Sequence, residues 1–179
     1  MKKLAIALCL TASVLTAMAQ GTINFNNRVT VAGINAPVTY NGAGVLGPDY
    51  VGQLFVDNGG SYEAVGTPTA FQSNALLAGY VNGGNTIVPF VAPGADASVI
   101  LRAWNAAAGS DWATASGAGN LISGESAPIT ITLGGAGAPP SLPANLTGLA
   151  GFQLVAVPEP STIALGVIGL AALALRRRK

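Results

Sequence analysis

Tyr50-Val51-Gly52-Gln53-Leu54-Phe55-Val56-Asp57-Asn58-Gly59-Gly60-Ser61-Tyr62-Glu63-Ala64-Val65 is the stretch on which the fold turns. Tyr50 to Asp57 is an apolar run of strand length. Asp57-Asn58-Gly59-Gly60 gathers residues that adopt turn conformations, and Ser61 to Val65 resumes the strand pattern. Two such runs joined by such a turn make a β-hairpin. The same grammar repeats outward. Thr22 to Asn26 sets Ile23 and Phe25 against polar neighbours, and Arg28 to Val31 extends that strand or pairs nearby. Asn82-Gly83-Gly84-Asn85 reads as a turn into Thr86 to Val91, where Pro89 marks an edge or a bulge. After the Pro93-Gly94 turn, Ala97 to Asn105 is the longest apolar strand. Ile129, Ile131 and Leu133 alternate with threonines, and Gly151 to Val157 closes the set. Phe71 to Leu77 reads as a helical turn and Gly134 to Pro143 as a loop. About eight strands between turns predict an all-β fold, an antiparallel β-sandwich that is jelly-roll-like or immunoglobulin-like.

The 179-residue chain divides into three parts: 1–19, a body 20–157, and 158–179. Lys2 and Lys3 form a charged start, and Leu4 to Leu15 an apolar stretch too short to span a membrane comfortably. Small residues Ala17 and Ala19 stand at the −3 and −1 positions of a cleavage site before Gln20. This is the pattern of a secretory signal peptide, with signal peptidase as the implied partner. Cys9 lies within the apolar stretch, behind Leu8 rather than the small residue that lipidation wants, so the cleaved body has no cysteine and no disulfide.

At the other end, Val157-Pro158-Glu159-Pro160-Ser161-Thr162 leads into the apolar run Ile163 to Leu175 and then Arg176-Arg177-Arg178-Lys179. Pro158 and Pro160 do not sit inside a helix, so a membrane helix is predicted over 161–175. Thirteen residues from Ile163 to Leu175 rise only about 20 Å, against a hydrocarbon core of about 30 Å. The four terminal cations hold that end in the cytoplasm, which puts the body outside the inner membrane. Pro158, Glu159 and Pro160 then form an extended handle just outside the bilayer, with Arg176 to Lys179 as the stop-transfer cluster.

Pro-Glu-Pro, a short apolar helix and a terminal basic cluster, in that order, resemble the PEP-CTERM sorting signal of Gram-negative bacteria. Gln20 to Asn27 and Arg102-Ala103-Trp104-Asn105 are further similar to small PEP-CTERM proteins of the Verrucomicrobia type. The resemblance implies an integral-membrane exosortase that recognises Pro158, Glu159 and Pro160 and removes the tail. It also implies a final place at the cell surface or outside the cell, in association with exopolysaccharide and biofilm. It implies neither a fold nor an activity for the body.

Composition narrows the body's chemistry. Its only cations are Arg28 and Arg102, against Asp49, Asp57, Glu63, Asp96, Asp111 and Glu125, a net of −4. That excludes the basic footprint of a nucleic-acid binder. The body has no His, Cys or Lys, which removes Ser-His-Asp, Cys-His and Ser-Lys nucleophile sites and the usual nitrogen and sulfur metal ligands. Carboxylate-pair hydrolysis survives. Asp57-Asn58-Gly59 resembles a fragment of a calcium loop but lacks the spacing of an EF-hand, so no metal or cofactor is expected. Tyr40, Tyr50, Tyr62, Tyr80, Trp104 and Trp112 are the rings that could stack a sugar. Trp104 and Trp112 are the candidate sugar contacts, Trp112 on a loop and Trp104 on a strand face where Arg102 is placed to cover it. The expected function is that of an exported, non-enzymatic structural or interaction protein. A carbohydrate-binding module and a carboxylate-pair hydrolase are the alternatives.

Overall fold

The computed structural model describes residues 20–157. Its strands, in chain order, begin with β1 (Gly21–Asn26), β2 (Arg28–Val29), β3 (Ile34–Asn35), β4 (Val38–Tyr40) and β5 (Ala43–Gly44). The long central strands follow: β6 (Tyr50–Asp57), β7 (Tyr62–Ala70), β8 (Asn82–Val88) and β9 (Asp96–Asn105). The set ends with β10 (Ile122–Glu125), β11 (Ile129–Thr132), β12 (Gly134–Gly135), β13 (Ala144–Asn145) and β14 (Phe152–Ala156). Among the described residues, helical structure is confined to short turns at Thr30–Ala32, Ala75–Leu77 and Ala106–Ala108 and to one turn of α-helix, α1 (Trp112–Ala115).

The larger sheet runs β5-β4-β14-β10-β9-β6-β7, and β11 shares one edge of β9 with β10. In the smaller sheet β8 lies along one edge of β1, and β12 and β13 divide the other. Ile23, Phe25 and Val88 from the smaller sheet meet Leu54, Val56, Val99 and Leu101 from the larger in one buried cluster. Two sheets on one core make a sandwich. Two pairings run parallel, β1 with β13 and β4 with β14; the others are antiparallel.

Strand period explains which residues form that core. Along the β6–β9 ladder, Gly52, Leu54 and Val56 lie opposite Ala103, Leu101 and Val99 and face inward. Val51 and Phe55, opposite Trp104 and Ile100, take the outer face. Each aliphatic side chain buried this way contributes about 1.5–3 kcal/mol, and the body, which has no cysteine, relies on such burial without a disulfide.

The β6–β7 hairpin forms as predicted, but β7 continues past Val65 to Ala70. Opposite Gln53 the strand bulges through Gly66, Thr67 and Pro68, and the Gln53 side-chain amide donates to the Gly66 carbonyl (2.8 Å). Gly66 has φ +65°, and a Cβ there would lie 2.9 Å from Thr86 Cγ2 of β8. Only glycine lets the two sheet edges meet this closely. The predicted turn at Asn82-Gly83-Gly84-Asn85 is instead the first half of β8. Asn85 pairs with Asn24, and a register shift between Phe25 and Asn26 absorbs the extra residue. The predicted loop from Gly134 begins with β12, whose backbone pairs with Gly21 and Thr22. The predicted membrane helix over 161–175 lies outside the described residues. Among the described residues no helix is long and apolar enough to cross a membrane.

Candidate functional site

The two candidate sugar-stacking tryptophans lie in one cluster on the outer face of the larger sheet. Trp104 is fully buried, packed with Ala108, Ala115 and Leu121, and its indole N–H donates to the Gly109 carbonyl (3.0 Å). Such a ring has no face left for a ligand. Its cover is the segment from Ala106 to Leu121, which folds back over β9. Arg102 does not cover it. Trp112 does, meeting Trp104 edge to face at 5.7 Å and Phe55 at 6.3 Å. The Arg102 guanidinium lies over two other rings, 4.6 Å from that of Phe55 and 5.0 Å from that of Trp112. Its Nε–H donates to Glu125 Oε2 at 2.9 Å, the register partner on β10.

The covering segment is fixed at both ends. Asn105 accepts from the Ile122 N–H (2.8 Å) and donates to the Asn120 carbonyl (3.1 Å). Asp111 caps α1, accepting from the Thr114 N–H (2.8 Å) and hydroxyl (3.2 Å). The backbone bond from Thr114, then its hydroxyl, hold the Asp111 carboxyl below the ordinary carboxylate range.

Of the remaining acids, Asp57, Glu63 and Asp96 serve local structure. Asp57 accepts from the Gly60 N–H (2.9 Å) and Glu63 from the Asn58 amide (2.9 Å), so the fragment that resembles a calcium loop spends its polar groups closing the hairpin. Asp96 accepts from the Thr132 hydroxyl (2.6 Å). Among the described residues no three carboxylates gather as metal ligands would. Of the tyrosines, Tyr62 shares a hydrogen bond with Ser98 (2.9 Å), and Tyr40 and Tyr50 tilt together at 6.2 Å. Burial first, then Tyr40 and Asp49, push the Tyr50 phenol up, which keeps it protonated.

Tyr80 occupies a different setting, organised by a residue with no local signal in the sequence. Asn27 is fully buried. Its amide N–H groups donate to the carbonyls of Ala36 (2.7 Å) and Gly79 (3.0 Å), and its oxygen accepts from the Val81 N–H (2.8 Å). One side chain thus ties the β2–β3 hairpin to the loop that ends at Tyr80. The two meet where Tyr80 donates its hydroxyl to Asn35 Oδ1 (2.6 Å) and Arg28 lies 4.9 Å over the Tyr80 ring.

The signal-cleavage residues Ala17 and Ala19, the handle Pro158, Glu159 and Pro160, and the basic cluster Arg176, Arg177, Arg178 and Lys179 lie outside the described residues. The body's last backbone hydrogen bond there runs from Val157 N–H to the Leu121 carbonyl (2.8 Å). Residues 156–179 match the PEP-CTERM protein-sorting motif. No curated protein and no solved structure matches the chain. The chain therefore carries a PEP-CTERM sorting motif, and it begins where the body's last strand ends.

Proposed function

We propose that this chain is an exported surface or matrix protein whose C-terminal tail is an exosortase substrate. The observation that carries the proposal is the sorting-motif match over residues 156–179. The signal pattern ending at Ala19 supports export and removal of residues 1–19 by signal peptidase. The apolar run and Arg176 to Lys179 would hold the precursor in the inner membrane with its body outside. Exosortase would grip Pro158, Glu159 and Pro160 and release the body to the surface, where it associates with exopolysaccharide and biofilm. The body's part is non-enzymatic. Five of its six acids cap turns or pair with neighbours, its tryptophans pack, and its lack of His, Cys and Lys leaves few groups able to carry a proton near neutral pH.

The test is the intact mass of the protein recovered from membrane and medium fractions, for wild type and for the Pro158→Ala/Pro160→Ala double variant. Loss of the mass beyond the Pro-Glu-Pro region in wild type, with retention in the variant, is the expected result. A full-length C-terminus in the membranes of both strains would overturn the proposal and leave a simple tail-anchored protein.

A further inference from the structure

Two hollows of about 280 and 200 Å³ lie against the Asn27 hub, and Arg28 and Tyr80 form the wall they share. Asn26, Gln72 and Asn82 also line one of them, and Asn35 lines the other. The valences of these amides are unusually well defined. Asn26 Oδ1 accepts from the Arg28 N–H (2.9 Å), Asn82 Oδ1 from the Gly84 N–H (3.2 Å), and Asn35 Oδ1 from the Tyr80 hydroxyl (2.6 Å). Each of the three asparagines thus uses one lone pair of its oxygen on the protein and keeps an NH₂ group for a ligand. The lining is therefore richer in side-chain donors, led by the Arg28 guanidinium and four amide NH₂ groups, than in acceptors, which are the remaining lone pairs of the amide oxygens and of the Thr30 and Tyr80 hydroxyls. None of the body's six acids lines either hollow. Arg28 is exposed and makes no ion pair among the described residues, so its guanidinium fork is open to a carboxylate.

A donor surface around one free guanidinium, inside a body of net charge −4, selects a ligand rich in acceptors that carries its negative charge at one point. Two hollows divided by the Arg28–Tyr80 wall suit linked rings that straddle the wall better than a single compact anion. We propose that this saddle binds an acidic polysaccharide: a uronate carboxylate on Arg28, with ring and hydroxyl oxygens taken by the amides of Asn26, Asn35, Gln72 and Asn82. Tyr80 contributes by holding both Arg28 and Asn35 in place, and it lines both hollows. This deepens the matrix proposal by naming the polymer's chemistry and the residues that read it. It is measured on purified protein, so it stands or falls separately from tail processing.

The experiment is calorimetric titration of the full chain, held in a polyoxyethylene detergent because a sugar detergent would compete. The probes are a short oligogalacturonate, the same oligomer with its carboxylates methyl-esterified, and inorganic phosphate. The expected result is binding of the acidic oligomer, at least about tenfold weaker binding of the ester, and no competition from phosphate at equal charge; a single lost charge-assisted pair accounts for such a factor. Arg28→Gln should weaken binding of the acid about tenfold while lowering the unfolding temperature by less than about 3 °C. Asn35→Asp keeps an acceptor for Tyr80 but brings a negative charge into the hollow, and it should abolish binding. Equal affinity for acid and ester, or an unaltered Arg28→Gln, would overturn carboxylate recognition. Full competition by phosphate would reduce the saddle to a simple anion site and overturn the saccharide assignment, as would no binding of the acidic oligomer at all.

Discussion

Arg102 lies 4.6 and 5.0 Å from the rings of Phe55 and Trp112, and Arg28 lies 4.9 Å from the ring of Tyr80. The cation–π geometry is much the same, so it does not distinguish the two regions. What surrounds each guanidinium does. Arg102 has two rings against it, a carboxylate partner in Glu125, and a side chain only 19% exposed. Arg28 has one ring, amide neighbours that offer donors, and an exposed side chain. The Arg102 region is satisfied from within the chain and closes the outer face of the sheet. The Arg28 region is held rigid from beneath by Asn27 but left with unspent valences. In a body with two cations, one is consumed by architecture and the other is presented.

The largest test of this contrast is Trp104→Ala. It should cost about 3–5 kcal/mol of stability, read by urea unfolding, because a fully buried indole leaves a cavity and an orphaned Gly109 carbonyl. A loss under about 1 kcal/mol would show that the covering segment is not a packed layer. Asn27→Ala comes next, at about 2–3 kcal/mol, because it strips the buried Val81 N–H of its acceptor and unties two loops. The same variant should also lose oligogalacturonate binding. Retained binding would mean that the saddle does not depend on the hub. The two arginines should then separate. Arg102→Gln should cost about 1 kcal/mol through lost stacking and a half-exposed ion pair, and Arg28→Gln less than about 0.5 kcal/mol. Equal losses would collapse the contrast.

The smallest effect is a pH dependence confined to the covering segment. Asp111 has a folded pKa below its unfolded one, so the stabilisation it gives α1 is fully present above the ordinary carboxylate value. That contribution is lost as pH falls through the depressed folded value. The near-ultraviolet signal of Trp112 should report a local acid transition before the core unfolds. Asp111→Asn, which still caps, should remove that transition. An identical acid titration in the variant would assign the change elsewhere.

What could be read from sequence follows physical lines. β6, β9 and the first half of β7 were legible because strand-like runs end at Asn, Gly and Pro; the rest of β7, Gly66 to Ala70, carries a glycine and a proline that interrupt the strand pattern. β12 and β13 were not, because Gly134, Gly135 and Ala144 pair through backbone alone and carry no side-chain pattern. The burial of Trp104 was hidden for a related reason. Its strand face points away from the main core, and its cover is a Gly-, Ala- and Ser-rich segment that reads as loop. Tyr80 was legible as a ring that could meet a sugar, but its partners were not. Arg28 and Asn35 lie 52 and 45 positions away in the chain, and nothing in Asn26-Asn27-Arg28 announces which asparagine is a buried hub.

The last strand, β14, does not lie at the margin of its sheet. It runs between β4 on one side, in parallel, and β10 on the other, antiparallel. Tension applied through the C-terminus would therefore load two ladders at once, where a marginal strand could peel away one hydrogen bond at a time. A body tethered by that end, whether to a bilayer or to whatever replaces it, is gripped by its interior. Drag from flow or from a surrounding polymer network would have to open both ladders together before the strand came free.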